Sequence, residues 1–146
     1  MESPRNIRDD QIKACAKSGG VVGIMGVGTF LGNNDISVET FIRHIDYVAE
    51  LVGPEHVGLG LDYFHNYKKN KSPVASAQVN PVGLHEEALK KASGGKPTVA
   101  WDEIDFFPPS SLPKLTEGLM KYGYGEKEIC GVLGENWLRV ARQVWK

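Results

Sequence analysis

Five groups of residues have types and spacings that could do chemistry. His44-Ile45-Asp46 is a His-x-Asp. On a strand, positions i and i+2 point the same way and can share a metal. Here the pair falls inside an amphipathic helical pattern, where such residues diverge by roughly 200°, so a structural histidine beside the core stripe is expected. Asp62 ends the apolar run His56-Val57-Gly58-Leu59-Gly60-Leu61. A strand-end carboxylate there either caps nearby backbone amides or serves a reaction. His65 lies just beyond, where a site would open, as one imidazole without a partner in view. Asp102, Glu103 and Asp105 cluster, but Trp101, Phe106 and Phe107 interleave with them. A loop with aromatics inward and acids outward fits that pattern better than a metal site. Gly23, Gly26 and Gly28 resemble a loose phosphate loop, yet neither a Gly-x-Gly-x-x-Gly nor a P-loop lysine completes it. Close packing of strands accounts for them.

The elements that must position these groups alternate helix and strand. Asn6 is a candidate N-cap with Asp9 three residues on, and Ile12, Cys15 and Ala16 would share one helical face before Ser18-Gly19-Gly20 ends the helix. Val21 to Val27 is apolar on both sides of the pleat, as a buried parallel strand is. Ser37 is a plausible cap for a helix from Val38 to about Val52, whose stripe is Phe41, Ile45, Val48 and Val52, widened by Ile42 and Ala49. Gly53-Pro54 stops it, and His56 to Leu61 reads as a second buried strand. A long polar loop follows from Tyr63 to Pro81, then a short helix over Gly83 to Ala92 that carries His85 on its surface. Leu112 to Tyr122 reads as a helix, and Glu126 to Leu133 with Glu135 to Trp145 as a closing pair around Gly134. The order predicts an α/β protein.

Composition narrows the functional classes. The 146 residues suffice for one domain. With 41% hydrophobic and 24% charged residues and a net charge of −1, no nucleic acid or anionic membrane is expected as partner. Lys68, Lys69 and Lys71 form the one basic cluster, read as a solvated loop. The opening Met-Glu-Ser-Pro-Arg has no apolar h-region, and Val21 to Leu31 is broken by glycines and too short to span a bilayer, so neither a signal peptide nor a membrane segment is expected. Cys15 and Cys130 both fall in helical patterns, which suggests two buried thiols and a cytoplasmic setting.

Three stretches, in order, resemble the membrane (renal) dipeptidase family of zinc metallopeptidases. Ser3-Pro4-Arg5-Asn6-Ile7-Arg8-Asp9-Asp10-Gln11-Ile12 with Gly19-Gly20-Val21-Val22-Gly23 is similar to that family's passage after the sixth barrel strand. His56 to Tyr63 resembles its eighth strand with the terminal Asp, and Tyr124 to Val140 resembles its closing helices. The last stretch contains Gly134-Glu135-Asn136-Trp137-Leu138-Arg139-Val140, a Gly-x-Asn-x-x-Arg-Val signature.

The resemblance implies that the chain is the C-terminal part of a (β/α)8 TIM-type barrel, holding its last two strands, with chemistry at the strand C-termini. In the family two zinc ions activate the water that attacks a dipeptide. The ligands are a His-x-Asp pair, a Glu and two His on earlier strands, all aligning upstream of Met1. This chain alone is therefore expected to hold no zinc tightly and to be inactive. Arg5 matches the arginine that binds the substrate's terminal carboxylate, and Asp62 the strand-end aspartate that moves protons between water and leaving amine. His56 would lie at the end away from that chemistry. Many members read Asp-Phe-Asp-Gly where this chain reads Asp62-Tyr63-Phe64-His65, a departure that bears on substrate specificity and loop shape. Two strands with unpaired edges predict a homo-oligomer, or pairing with the missing N-terminal barrel half. The alternative function is a non-catalytic oligomeric or interaction module.

Overall fold

The computed structural model describes residues 6–64 and 104–145. Arg5, His65, His85, the lysine cluster, Trp101, Asp102, Glu103 and the expected helix over Gly83 to Ala92 lie outside the described residues.

Helix α1 spans Asp9–Lys17 and starts after an extended Arg8, whose N–H is taken by the Gln11 side-chain oxygen at 3.0 Å. Asn6, expected as the cap, does not cap it. Its side-chain nitrogen donates instead to the Phe30 carbonyl at 3.2 Å, a long-range contact that outcompetes the local one. Ile12 is the buried residue of α1. The helix ends through Gly19, at φ 82, with Gly20 N–H bonded to the Cys15 carbonyl at 3.0 Å.

Strand β1 (Val22–Ile24) leads through the short helix α2 (Gly28–Leu31) into α3 (Val38–Val52). Ser37 caps α3 as expected, its hydroxyl accepting from Thr40 N–H at 3.2 Å. Gly53, at φ 100, ends α3, and one 3-10 turn (Pro54–His56) feeds strand β2 (Val57–Leu59). The strands are parallel in the register Val22↔Val57, Gly23↔Gly58, Ile24↔Leu59. This β–α–β unit makes the chain an α/β fold.

The regular ladder is three residues on each strand, shorter than the runs Val21 to Val27 and His56 to Leu61. Hydrogen bonding nevertheless continues past it, from Gly60 N–H to the Ile24 carbonyl and from Gly26 N–H to the Leu61 carbonyl, both at 2.9 Å. The expectation of strands apolar on both faces also needs correction. Val22, Ile24, Val57 and Leu59 face the core with Phe41, Ile45 and Val48 of α3. Pleating turns Gly23 and Gly58 to the other side, where the Trp137 indole lies across them. A Cβ on Gly23 would sit 3.1 Å from the Trp137 ring, and one on Gly58 would overlap it.

After residue 104 the chain passes a 3-10 turn (Pro109–Ser111) into α4 (Leu112–Tyr122), α5 (Glu126–Cys130), a π-type turn (Gly131–Glu135) and α6 (Asn136–Val144). Leu115 and Leu119 of α4 are wholly buried, each worth about 1.5–3 kcal/mol. Helix α5 stops short of the expected Leu133. Ile129 and Val132 turn inward, which leaves Cys130 on the outer side and exposed. Cys15 is half-buried, so the expectation of two buried thiols is corrected, and both thiols are free. Among the described residues, no helix is long and apolar enough to cross a membrane.

Candidate functional site

The C-terminal end of the strand pair is laced together by backbone. Gly26 stands between two neighbours: its N–H donates to the Leu61 carbonyl at 2.9 Å, and its carbonyl accepts from Phe107 N–H at 2.7 Å. A Cβ on Gly26 would fall 2.7 Å from the Leu61 oxygen and 3.1 Å from Phe107 Cβ, so glycine is what lets the three segments meet. Val27 bridges Phe106 in antiparallel fashion, and Gly28 N–H donates to the Asp105 carbonyl at 2.8 Å. Asn34 fastens the same segment with both ends of its amide. Its nitrogen donates to the Asp105 carboxylate at 3.0 Å and its oxygen accepts from Asp105 N–H at 2.9 Å. Phe107 is fully buried and stacks on Phe41 with centroids 4.4 Å apart, so this aromatic does point inward, while Asp105 is half-buried.

Asp62 follows immediately, on the residue after Leu61. Its φ is +51°, and its side chain is exposed. The other non-glycine residues with positive φ among the described residues, Asn33 (53°) and Asn34 (56°), lie in the loop at the same end. Left-handed backbone at three non-glycine residues stores strain that the surrounding bonds must hold. Asp35 anchors that loop to α3. Its carboxylate accepts from the Thr40 hydroxyl and from Ser37 N–H at 2.8 Å, and these bonds hold its pKa below the usual carboxylate range, Thr40 contributing most.

The structure separates the remaining sequence candidates from this end. His44 places Nε2 2.8 Å from the Leu31 carbonyl oxygen, so that nitrogen carries the proton. Asp46 accepts from the Tyr124 hydroxyl at 2.9 Å, and burial together with that bond pushes the tyrosine pKa up. The His-x-Asp pair thus diverges to unrelated partners, as its helical position requires. His56 lies at the opposite end of the strands, with Nδ1 2.8 Å from the Gly20 carbonyl oxygen. Arg5 and His65 lie outside the described residues. Among the described residues, no three His, Cys, Asp or Glu side chains group as a metal site.

Sequence reasoning missed how the closing signature works. Asn136, 8% exposed, donates to the Pro54 carbonyl at 2.9 Å and to the Val57 carbonyl at 2.8 Å. Arg139 bridges the Gly19 and Glu55 carbonyls, each at 2.9 Å, and Trp137 Nε1–H donates to the Leu59 carbonyl at 3.1 Å. The signature therefore ties down the segments that enter both strands. A buried Asn and an Arg on the core side of an amphipathic helix were the available signal. The Asn34–Asp105 lacing left no signal beyond the turn-forming run Gly32-Asn33-Asn34-Asp35.

Comparison with known proteins adds identity to this geometry. The family described as "Membrane dipeptidase (Peptidase family M19)" matches residues 1–95 of the 146. An "Uncharacterized protein in pqqA 5'region" of Klebsiella pneumoniae is 30% identical over 98% of this chain and 42% of its own length. "Dipeptidase 3" of Rattus norvegicus is 29% identical over 95% of this chain and 22% of its own. "Dipeptidase ataJ" of Aspergillus terreus is 27% identical over 97% and 27% respectively. Among solved structures, an amidohydrolase from Pseudomonas aeruginosa superposes with a TM-score of 0.70 at 27% identity, over 99% of this chain and 42% of that one. The chain spans less than half the length of each of these relatives. With the matched residues taking in both strands and α3, the chain belongs to the membrane dipeptidase family.

Proposed function

We propose that this chain is the C-terminal part of a (β/α)8 TIM-type barrel hydrolase that cleaves the peptide bond of dipeptides, contributing its last two strands. The observation that supports it best is Asp62: an exposed carboxylate, on strained backbone, at the C-terminal end of a parallel strand. In this fold class chemistry collects at that end. Asp62 would hold or return a proton between the attacking water and the leaving amine. Arg5 would grip the substrate's terminal carboxylate through its planar guanidinium fork.

The family is one of metallopeptidases, and in a complete enzyme two zinc ions would supply an activated water. The described residues do not fit such a pair. They contain no grouping of three donor side chains, and His44 and Asp46 part to different partners. The ligands would come from polypeptide other than these residues. On this reading the chain by itself binds zinc weakly and hydrolyses no dipeptide. Elemental analysis of the purified protein and assays with Ala-Ala and Gly-Leu test it. Stoichiometric zinc together with turnover would overturn it. In a complete relative, Arg5→Lys at the matching position is expected to raise KM, and Asp62→Asn to lower kcat with KM little changed. The two phenotypes exchanged would sink both roles.

A second reading, a non-catalytic oligomeric or interaction module, is favoured by the end of α6, where Leu138 and Val144 of the helix and Trp145 just beyond it are 52%, 63% and 80% exposed.

A further inference from the structure

The two outer sides of the strand pair are closed by different means. In a parallel ladder the N–H and C=O of one residue point to the same edge, and successive residues alternate. Gly60 N–H reaches the Ile24 carbonyl, so Gly58 and Gly60 turn their polar groups toward β1, and Val57 and Leu59 turn theirs to the outer edge of β2. The carbonyls on that edge are met by side chains rather than by a strand. Asn136 Nδ2 donates to the Val57 carbonyl at 2.8 Å, and Trp137 Nε1–H donates to the Leu59 carbonyl at 3.1 Å. Consecutive residues of α6 thus stand where the backbone of a third strand would bring its donors. Beyond β1, by contrast, the chain is met by main chain, in the Val27–Phe106 bridge.

The two side chains are not equally fixed. Asn136 is buried and also holds the Pro54 carbonyl at 2.9 Å, so it belongs to the start of the strand. Trp137 is 41% exposed although its ring lies across Gly23 and Gly58, and its one donor is spent on the Leu59 carbonyl. An indole donates and cannot accept. It satisfies that carbonyl and offers nothing to the Leu59 N–H on the same edge, whereas a strand would engage both groups. A neighbouring strand would lie about 4.8 Å away and bring its own N–H to the carbonyl, so the indole must leave for a strand to pair. Its departure uncovers Gly23, Gly58 and Gly60, a flat strip with no side chains of its own.

We propose that the outer edge of β2 from Leu59 onward is a docking site for an extended strand, and that Trp137 is the strap that covers the edge until the strand arrives. In docking of this kind main-chain pairing supplies affinity and alternate side chains supply the fit. The complementary segment is apolar on the side that continues the row of Val57 and Leu59, and carries large side chains on the other side, over the glycine strip. It comes from polypeptide other than this chain, which spans 42% of the length of both the Klebsiella pneumoniae and the Pseudomonas aeruginosa relatives. That the segment runs parallel to β2, as the first strand of a barrel, rests on the hydrolase reading above. The strap does not.

Fluorescence of the full chain carrying Trp101→Phe and Trp145→Phe tests it, because Trp137 is then the one tryptophan left of three. Two probes are titrated. One is a lysine-flanked synthetic peptide alternating valine and phenylalanine. The other is the portion of the Pseudomonas aeruginosa amidohydrolase that this chain does not cover, made as a separate polypeptide. Each is expected to shift the Trp137 emission saturably to the red as the indole leaves the sheet. Trp137→Phe keeps a ring but loses the competing N–H, so it should bind the labelled peptide about fivefold more tightly, with circular dichroism confirming the fold. Trp145→Phe alone should bind it as the parent chain does. Peptide binding that leaves the Trp137 emission unchanged, or equal affinity of the Trp137→Phe and parent chains, would overturn the strap. No peptide bound by either chain would overturn the docking site. The larger polypeptide joining with Trp137 unmoved would uphold the barrel and overturn the strap. A peptide that docks and shifts Trp137, with the larger polypeptide failing to join, would uphold the edge and remove the barrel reading alone.

Discussion

The two ends of the strand pair are built on opposite terms. At the N-terminal end, the carbonyls of Gly19, Gly20, Pro54, Glu55 and Val57 are each taken by a side chain, from His56, Asn136 or Arg139. The backbone there is relaxed apart from glycines at positive φ, Gly19 and Gly53. At the C-terminal end, three non-glycine residues sit in left-handed conformations, held by a lacing of Gly26, Gly28, Asn34 and Asp105, and the acid Asp62 faces outward. One end fixes where the strands begin. The other holds groups in positions that the chain would not choose locally. Strain confined to the end with an exposed acid is what a site requires, and satisfied hydrogen bonds at the other end are what stability requires.

If that division holds, the largest loss of stability comes from the clasp. Asn136→Ala removes two hydrogen bonds at once and leaves the Val57 carbonyl, within a buried residue, without the donor it had. The expected cost is about 2–3 kcal/mol, read as a lower urea midpoint. A midpoint equal to that of the parent protein would show that the N-terminal end is not the anchor. Arg139→Lys is expected to cost less, about 1 kcal/mol. A lysine keeps the charge but cannot reach the Gly19 and Glu55 carbonyls with two nitrogens of one planar group. Lysine and arginine proteins unfolding at the same urea concentration would mean that charge, not the fork, makes the bridge.

What the sequence made legible was local. Helices α3 and α4 appear at the expected residues because cap, stripe and stop lie within one segment: Ser37 before Thr40, Phe41 to Val48 along one face, Gly53 and Gly123 at the ends. The pairing of two apolar runs in parallel followed from the helix between them. The misreadings share a different cause. Asn6 looked like a cap until Phe30, 24 positions away, claimed its amide. The second strand face looked apolar until Trp137, bonded 78 positions back to Leu59, supplied what two glycines omit. Asn34 and Asp105 lie 71 positions apart. No periodicity reports such distant pairings, and both the clasp and the strained end consist of them. Asp62 could be placed just past a strand because its position at the end of a run is a local fact, whereas its left-handed backbone is not.

The finest test of the comparison is Asp62→Gly. Left-handed backbone costs an L-residue roughly 1–2 kcal/mol, less for aspartate than for most, and glycine adopts it without penalty. Glycine also enlarges the unfolded ensemble, which takes back about 0.4–1 kcal/mol. The net expectation is a small gain, about 0.5 kcal/mol, at a residue exposed and at φ +51°. Asp62→Asn should leave stability nearly unchanged, since asparagine tolerates the same backbone, and Asp62→Ala should lower it. Urea midpoints ranked glycine, then aspartate with asparagine, then alanine would establish strain at this end of the strands. An alanine protein as stable as the glycine one would mean that the backbone there is unstrained. The contrast with the clasped end would then reduce to exposure alone. The same Asp62→Gly change placed in a complete relative gives the other half of the argument: greater stability with kcat lost would tie the strain to the acid it positions.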